Sequence, residues 1–303
     1  MKYFYKLNGC SLEDDAPSKN IAFFNSKQPD KAELKNAVND WLSGDSDKKQ
    51  AVEDKYGKIQ DWDVSNVTTF DNLFNVDYTN KPDFNEDISK WNVSKAGFDE
   101  DSGVGCRGMF AGCEKFNQDI SGWNLQNCEN FDEFFRDCKA FNQDISGWKV
   151  DNCESFVSTF ENCISFNQDL SSWKTNQVQN FDSMFKNCKN FNQDLSNWVV
   201  NPIVYGTPKK TIFWALDMFK GATSMKLENV PIKLLEGPSG PCAALSKRLC
   251  QDLKHIGYVD GAAEIQPHQW QGISSVEAKK HLSTTRPVVT NPPRVGLGFP
   301  AID

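Results

Sequence analysis

Large apolar side chains recur along the middle of the chain at a fixed interval. The block FNQDISGW, or a near-identical version of it, appears four times, and each copy begins 25 residues after the last. Several positions therefore stay in phase over four copies, which identifies a tandem repeat. These columns are Phe116, Phe141, Phe166 and Phe191; Trp123, Trp148, Trp173 and Trp198; Cys113, Cys138, Cys163 and Cys188; and Phe110, Phe135, Phe160 and Phe185.

Weaker copies flank this region on both sides. Upstream, Phe84–Trp91 reads FNEDISKW and precedes the next copy by 32 residues, which indicates an insertion of about seven. Downstream, residues 218–222 match residues 184–188 after an insertion of about nine. Terminal coils of a repeat array commonly diverge because they meet solvent or a cap on one side. The sequence therefore predicts six to seven coils over residues 56–228.

The spacing inside each copy predicts its local structure. Phe131 and Phe135 are four residues apart and Phe134 widens the stripe, which predicts a short helix or 3-10 turn. The FNQDIS segment predicts a short strand, and stacked copies would pair in parallel at about 4.8 Å. The predicted fold class is an α/β solenoid, leucine-rich-repeat-like, with one short parallel strand plus one short helix or 3-10 turn per coil. The alternative is an all-β right-handed β-helix.

The ends of the chain lack the repeat. Residues 30–55 are predicted to form an N-terminal helical cap, because an apolar stripe runs along residues 30–42. Residues 1–29 are an extension with two candidate strands of a hairpin. Residues 229–303 are predicted to contain a helix over residues 242–256, followed by an extended arm rich in Pro and Gly, a composition that cannot build its own core.

Charge and composition narrow the function classes. The net charge is −8 with no basic block, which disfavours nucleic acid as a partner. No stretch approaches the roughly 20 apolar residues of a membrane span, so membrane insertion is not expected. The N-terminus lacks the apolar region of a secretory signal, so we expect a protein that is intracellular and not secreted by a signal peptide. The ten cysteines are accordingly expected to be reduced thiols.

Three side-chain columns carry the candidate chemistry. The cysteine column forms a line rather than the converging pairs that zinc requires, which favours small buried side chains. The aspartate column is interpreted as local bonding to backbone N–H groups, with calcium bridging as the alternative. Strict alternation would expose the Trp column, whereas Gly122 and Gly147 indicate a turn that returns each ring to the core, and we favour the core.

The sequence predicts no enzyme. The three histidines, His255, His268 and His281, lie in the non-repetitive tail at spacings typical of no zinc site. No phosphate-binding loop, serine nucleophile elbow or HExxH metalloprotease run is present. No cofactor and no metal are therefore expected.

The motifs resemble a known family. The FNQDISGW block, the MFxxCxxF arc over residues 184–191 and the entry sequence over residues 56–68 together resemble the BspA-like repeat proteins. These are leucine-rich-repeat-related surface proteins of mycoplasmas, found also in marine algae and their large DNA viruses. The resemblance covers about residues 34–225. It implies an interaction or surface scaffold without known catalysis.

We therefore predict a non-enzymatic structural and protein-interaction scaffold that forms part of a larger assembly. A minor capsid protein of a large algal virus is the example that the resemblance alone suggests, and in that case the chain would be incorporated in a virion. The expected partners are other protein subunits; the alternative is a glycan- or receptor-binding surface adhesion module, with glycan the less favoured ligand. The candidate partner contacts are Asp119, Asp144, Asp169, Asp194, Arg286, Pro292, Pro293 and Phe299.

Overall fold

The computed structural model describes residues 31–97, 105–201, 203–205, 210–212, 214–231 and 234. The described helices and strands are α1 (Lys31–Leu42), α2 (Ser46–Tyr56), α3 (Val76–Thr79), β1 (Ile203–Tyr205) and β2 (Lys210–Ile212), with 3-10 turns at Ile59–Asp61 and Leu227–Asn229. The regular elements thus lie at the two ends of the described region. Between them, the repeat copies consist of turns that stack on one another.

Helices α1 and α2 cover the first coil. Helix α1 buries the side chains of Leu34, Val38 and Trp41, which share one face because they lie three, four and seven residues apart. Asp45 caps the start of α2, its carboxylate accepting the N–H groups of the second and third residues that follow it. The Trp41 ring meets the ring of the first coil's Trp62 edge-on, with 5.7 Å between centroids. The cap therefore continues the aromatic core.

Aromatic rings from successive copies stack through the interior. Rings of the block-opening Phe column lie 5.8–6.0 Å apart, centroid to centroid, from Phe116 to Phe191. The parallel column from Phe110 to Phe185 has centroid spacings of 5.6–5.8 Å. Within a coil the two columns also touch, as Phe135 and Phe141 do at 4.0 Å. Stacked pairs contribute about 0.5–1.5 kcal/mol each beyond their burial, so the ladder stabilises every coil through its neighbours.

The arc that carries these Phe residues alternates its hydrogen bonds. The N–H groups of Phe131, Glu133, Phe135 and Asp137 donate to carbonyls of the next coil at 2.8–3.0 Å. Between them, the N–H groups of Phe134 and Arg136 donate to carbonyls three residues back within the same coil. Glu133 and Asp137 have φ of 59° and 63°, and their equivalents in the next two coils have φ of 52–62°. Left-handed residues interrupt an α-helix, so where a helix or 3-10 turn is expected the coil forms a series of turns.

Side-chain amides connect the FNQDIS segments. Asn117 Oδ1 accepts the backbone N–H of Asn142 at 2.8 Å, and Asn142 Oδ1 accepts that of Asn167 at 2.9 Å. The Gln168 side chain donates to the Asn142 carbonyl at 2.8 Å. These bonds replace a backbone-to-backbone ladder, and no described residue of these segments is assigned to a strand. The contacts between copies are nevertheless regular, because every copy supplies the same Asn.

The longer spacings leave this bonding unchanged. Asn117 N–H donates to Asn85 Oδ1 at 2.8 Å across 32 residues, and Lys226 N–H donates to Asn192 Oδ1 at 2.9 Å across 34. In the second insertion, β1 and β2 pair antiparallel, with Ile203 opposite Ile212. The contacts between copies therefore keep the same register across both longer spacings.

Candidate functional site

The Trp column lies in the core. Trp123, Trp148 and Trp173 are each 4% exposed and Trp198 is 3% exposed. Each indole N–H donates to the carbonyl of the Ile or Leu one block earlier; Trp148, for example, donates to the Ile120 oxygen at 3.1 Å. A buried indole needs such an acceptor, and the stack supplies one at every copy. These rings therefore hold coils together and do not form an exposed aromatic strip.

The cysteine column is also internal. Cys138 Sγ donates to the Phe110 carbonyl at 3.1 Å, and Cys163 Sγ to the Phe135 carbonyl at 2.9 Å. Burial raises the pKa of the Cys113, Cys138, Cys163 and Cys188 thiols well above the ordinary value. Thiolate is the reactive form of cysteine, so this column is chemically inert. No group of three or more potential metal ligands lies together within the described ranges.

Two other cysteines differ from the prediction that all ten are reduced thiols. Cys106 and Cys128 form a disulfide, with 6.3 Å between their Cα atoms. The expectation of reduced thiols is therefore wrong for this pair. Cys106 occupies the position that Phe131 holds in the next copy, so the periodicity gave no reason to pair it with Cys128. Cys153, one repeat after Cys128, is a buried free thiol.

The aspartate column makes local turns. One carboxylate oxygen of Asp119 accepts the Ser121 N–H at 2.9 Å, and Asp144 does the same for Ser146 at 2.9 Å. The same bond forms at Asp169 and Asp194. The Ser121 backbone bond lowers the pKa of Asp119, and the Ser146 side-chain bond is the main cause that lowers the pKa of Asp144. Each carboxylate thus shapes its own turn.

Several predicted residues lie outside the described residues. They are Arg286, Pro292, Pro293, Phe299, the candidate helix over 242–256, the three histidines and the candidate N-terminal hairpin over 1–29. Among the helices that are described, none is long and apolar enough to cross a membrane.

A groove that the sequence did not suggest crosses the outer side of the stack. Asn130, Ser155, Asn180 and Trp214 form a column of parallel bridges, one residue from each of four successive coils. Glu129, Glu154 and Gln179 lie beside this column, and together the seven residues line a cavity of about 210 Å³. The Gln179 amide donates to Glu154 Oε2 at 3.1 Å. Within the described part of the chain, neither Glu129 nor Glu154 makes an ion pair.

The last coil changes the chemistry of this outer side. Where the preceding coil places Asn180 and Asp182, the last coil places Trp214 and Leu216, which are 42% and 59% exposed. The Asp182 carboxylate accepts the Leu216 N–H at 2.6 Å, whereas Leu216 itself offers no such acceptor. The nine-residue insertion conceals this substitution in the sequence, because Trp214 aligns with Asn180 only once the extra residues are removed.

Comparison with known proteins gives one family. The model of the family described as "Mycoplasma protein of unknown function, DUF285" matches residues 53–101 and 104–225, which is more than half of the chain. No curated protein and no solved structure matches the chain.

Proposed function

Since the chain belongs to this family of repeat proteins, related to the BspA-like surface proteins, we propose that it is a non-enzymatic solenoid scaffold that binds other proteins within a larger assembly. The observation that supports the proposal most directly is the uninterrupted ladder from α1 to the last coil. Rings, thiols and indoles bond from copy to copy in one register. Such a stack keeps its outer surfaces at fixed spacing.

The bonding pattern supports a structural role for the conspicuous side chains. The polar groups of the Trp, Cys and Asp columns form hydrogen bonds within the chain. The Trp and Cys side chains donate to carbonyls of the preceding coil, and the Asp carboxylates accept N–H groups of their own turn. The hydrogen-bonding groups of these side chains are thus used in contacts within the chain. Partner recognition is accordingly assigned to outer positions that differ between coils.

We further propose that the assembly is a virus particle, with the chain as a minor capsid component of a large algal virus. This step rests on the distribution of the BspA-like resemblance alone. The alternative, a glycan- or receptor-binding adhesion module, was motivated by an exposed Trp strip. Because Trp148 and its equivalents are buried, that motivation does not hold for the repeat column.

Recovery of the full chain from its native source tests the scaffold. Gentle cross-linking followed by affinity purification and quantitative mass spectrometry should recover other protein subunits at a fixed stoichiometry. If the assembly is a virus particle, purified virus particles should contain the chain. Recovery of the free monomer at native concentration, with no subunit enriched over a mock purification, would contradict the proposal. A parallel glycan array with the same full chain distinguishes the adhesion module, which requires a saturable glycan signal.

A further inference from the structure

The exposed pair Trp214 and Leu216 lies at one end of an acidic, concave strip. The strip is the groove lined by Glu129, Glu154 and Gln179, and Trp214 belongs to its lining. Exposed Trp side chains are enriched among residues that dominate protein interfaces. A Trp and a Leu that replace the Asn and Asp of the preceding coil form an apolar rim that the preceding coil lacks.

The charge of the groove indicates what its ligand carries. Glu129 and Glu154 occupy equivalent positions one coil apart, and the Glu154 N–H donates to the Glu129 carbonyl at 2.7 Å. Like charges on adjacent coils repel each other, and a cation placed between them relieves the repulsion. Neither carboxylate forms an ion pair with a described Lys or Arg. Trp214 lines the same groove two coils beyond Glu154 and adds an exposed aromatic ring to it.

We propose that this groove and its rim, Trp214 with Leu216, bind a segment of a partner protein in which a Lys or Arg lies next to an apolar residue. The basic side chain enters the groove between Glu129 and Glu154, and the segment continues along the groove to Trp214. The apolar neighbour packs on Leu216. This inference rests on the proposed scaffold function and names the chemistry of one of its partners.

The test uses the full chain labelled with 5-fluorotryptophan, with the Trp214 resonance assigned from the Trp214→Phe variant. The probes are two capped tetrapeptides, Leu-Lys-Leu-Lys and Leu-Glu-Leu-Glu, and the neutral sugar chitotriose. We expect the Lys peptide alone to move the Trp214 resonance saturably. The double change Glu129→Gln and Glu154→Gln should weaken that binding about fivefold, since ion pairs at an exposed site are individually weak.

Glu114→Gln is the matched control, because Glu114 is an exposed acid that pairs with Lys139 outside the groove. It should leave the Lys-peptide affinity unchanged. An equal response to both peptides, an affinity unaffected by the double change, or no response would overturn the proposal. A response to chitotriose alone would assign a glycan site instead, and a shift with protein concentration alone would assign a second copy of the chain.

The two proposals fail separately. If native-source purification still returns partners while Trp214 ignores the Lys peptide, the scaffold stands and this site is wrong. If the peptide binds as expected but no subunit is ever recovered, the site stands and the assembly role is wrong.

Discussion

The two ends of the stack are finished differently. At the N-terminal end, α1 and α2 cover the first coil, and Trp41 is only 5% exposed where it meets Trp62. At the C-terminal end, Trp214 and Leu216 stand exposed on the outer side of the last coil. The same residue type thus closes the core at one end and meets solvent at the other. Whether a Trp side chain of this protein is buried therefore depends on where it lies in the stack, so the residue type alone does not predict its role.

Substitution of Trp41 and of Trp214 should show the largest difference in stability between the two ends. Trp41→Ala should lower the free energy of unfolding by about 3–5 kcal/mol, because a buried ring and its contacts are lost. Trp214→Asn, which restores the residue of the preceding coil, should change it by less than about 0.5 kcal/mol. Urea denaturation followed by circular dichroism measures both. Similar losses in the two variants would contradict the difference between the ends.

Glycine substitutions probe whether the coils at both ends are packed equally tightly. Gly112 has φ of 80° and an added Cβ would lie 2.8 Å from the Val76 Cβ; Gly221 has φ of 75° and its Cβ would lie 2.2 Å from Asn187 Oδ1. Either Gly→Ala change should cost about 2 kcal/mol, from left-handed strain and from the clash.

Gly122→Ala is the control for this pair, since nothing lies within 4 Å of the position that its new methyl group would occupy and its φ is not left-handed. It should leave the midpoint of urea denaturation unchanged. A loss at Gly112 but none at Gly221 would show that the C-terminal coil is looser than its contacts indicate.

The smallest expected effect is a pH dependence of the N-terminal cap. Glu33 accepts hydrogen bonds from Lys55 Nζ at 2.8 Å and from the Tyr56 hydroxyl, and the Lys55 bond is the main cause that lowers the pKa of Glu33. A carboxylate with a lowered folded-state pKa stabilises the fold above its unfolded pKa of about 4.3, and this contribution disappears as pH falls through the folded value. Because both groups are partly exposed, it should be below about 1 kcal/mol.

Thermal unfolding between pH 3 and 7, compared for the wild type and Glu33→Gln, measures this contribution. The variant should be slightly less stable at pH 7 and equal to the wild type below the folded pKa of Glu33. A constant difference across the range would mean that the Glu33 charge plays no part.

Much of the interior could be predicted from the sequence. The Phe and Trp columns follow from periodicity, because a side chain repeated at one spacing occupies one place in every coil. The turn after Ile145 could be anticipated from Gly147, and Trp148 indeed returns to the core. Helix α1 could be predicted from its apolar stripe, whereas α2 is largely polar and carries no such signal.

The other features of the fold and of the candidate site depend on interactions that cannot be predicted from residue type. Glu133 and Ser158 adopt left-handed backbone although neither is Gly or Asn, because bonds to the next coil fix their conformation. The Asn117 ladder bonds through side-chain amides, which a strand pattern cannot reveal. The Cys106–Cys128 bridge uses a position that holds Phe in the following copies, and Trp214 follows an insertion that hides its alignment with Asn180.

The asparagine bonds that span 25, 32 and 34 residues alike have a consequence for how such a chain changes length. Contacts between copies set the spacing of the stack, and the number of residues linking two copies does not. A duplicated unit can therefore dock onto its parent without any other change, and a linker can acquire new residues while its two copies stay in contact. The number of copies and the length of the linkers between them can therefore change independently, so new binding loops can arise with little effect on the fold.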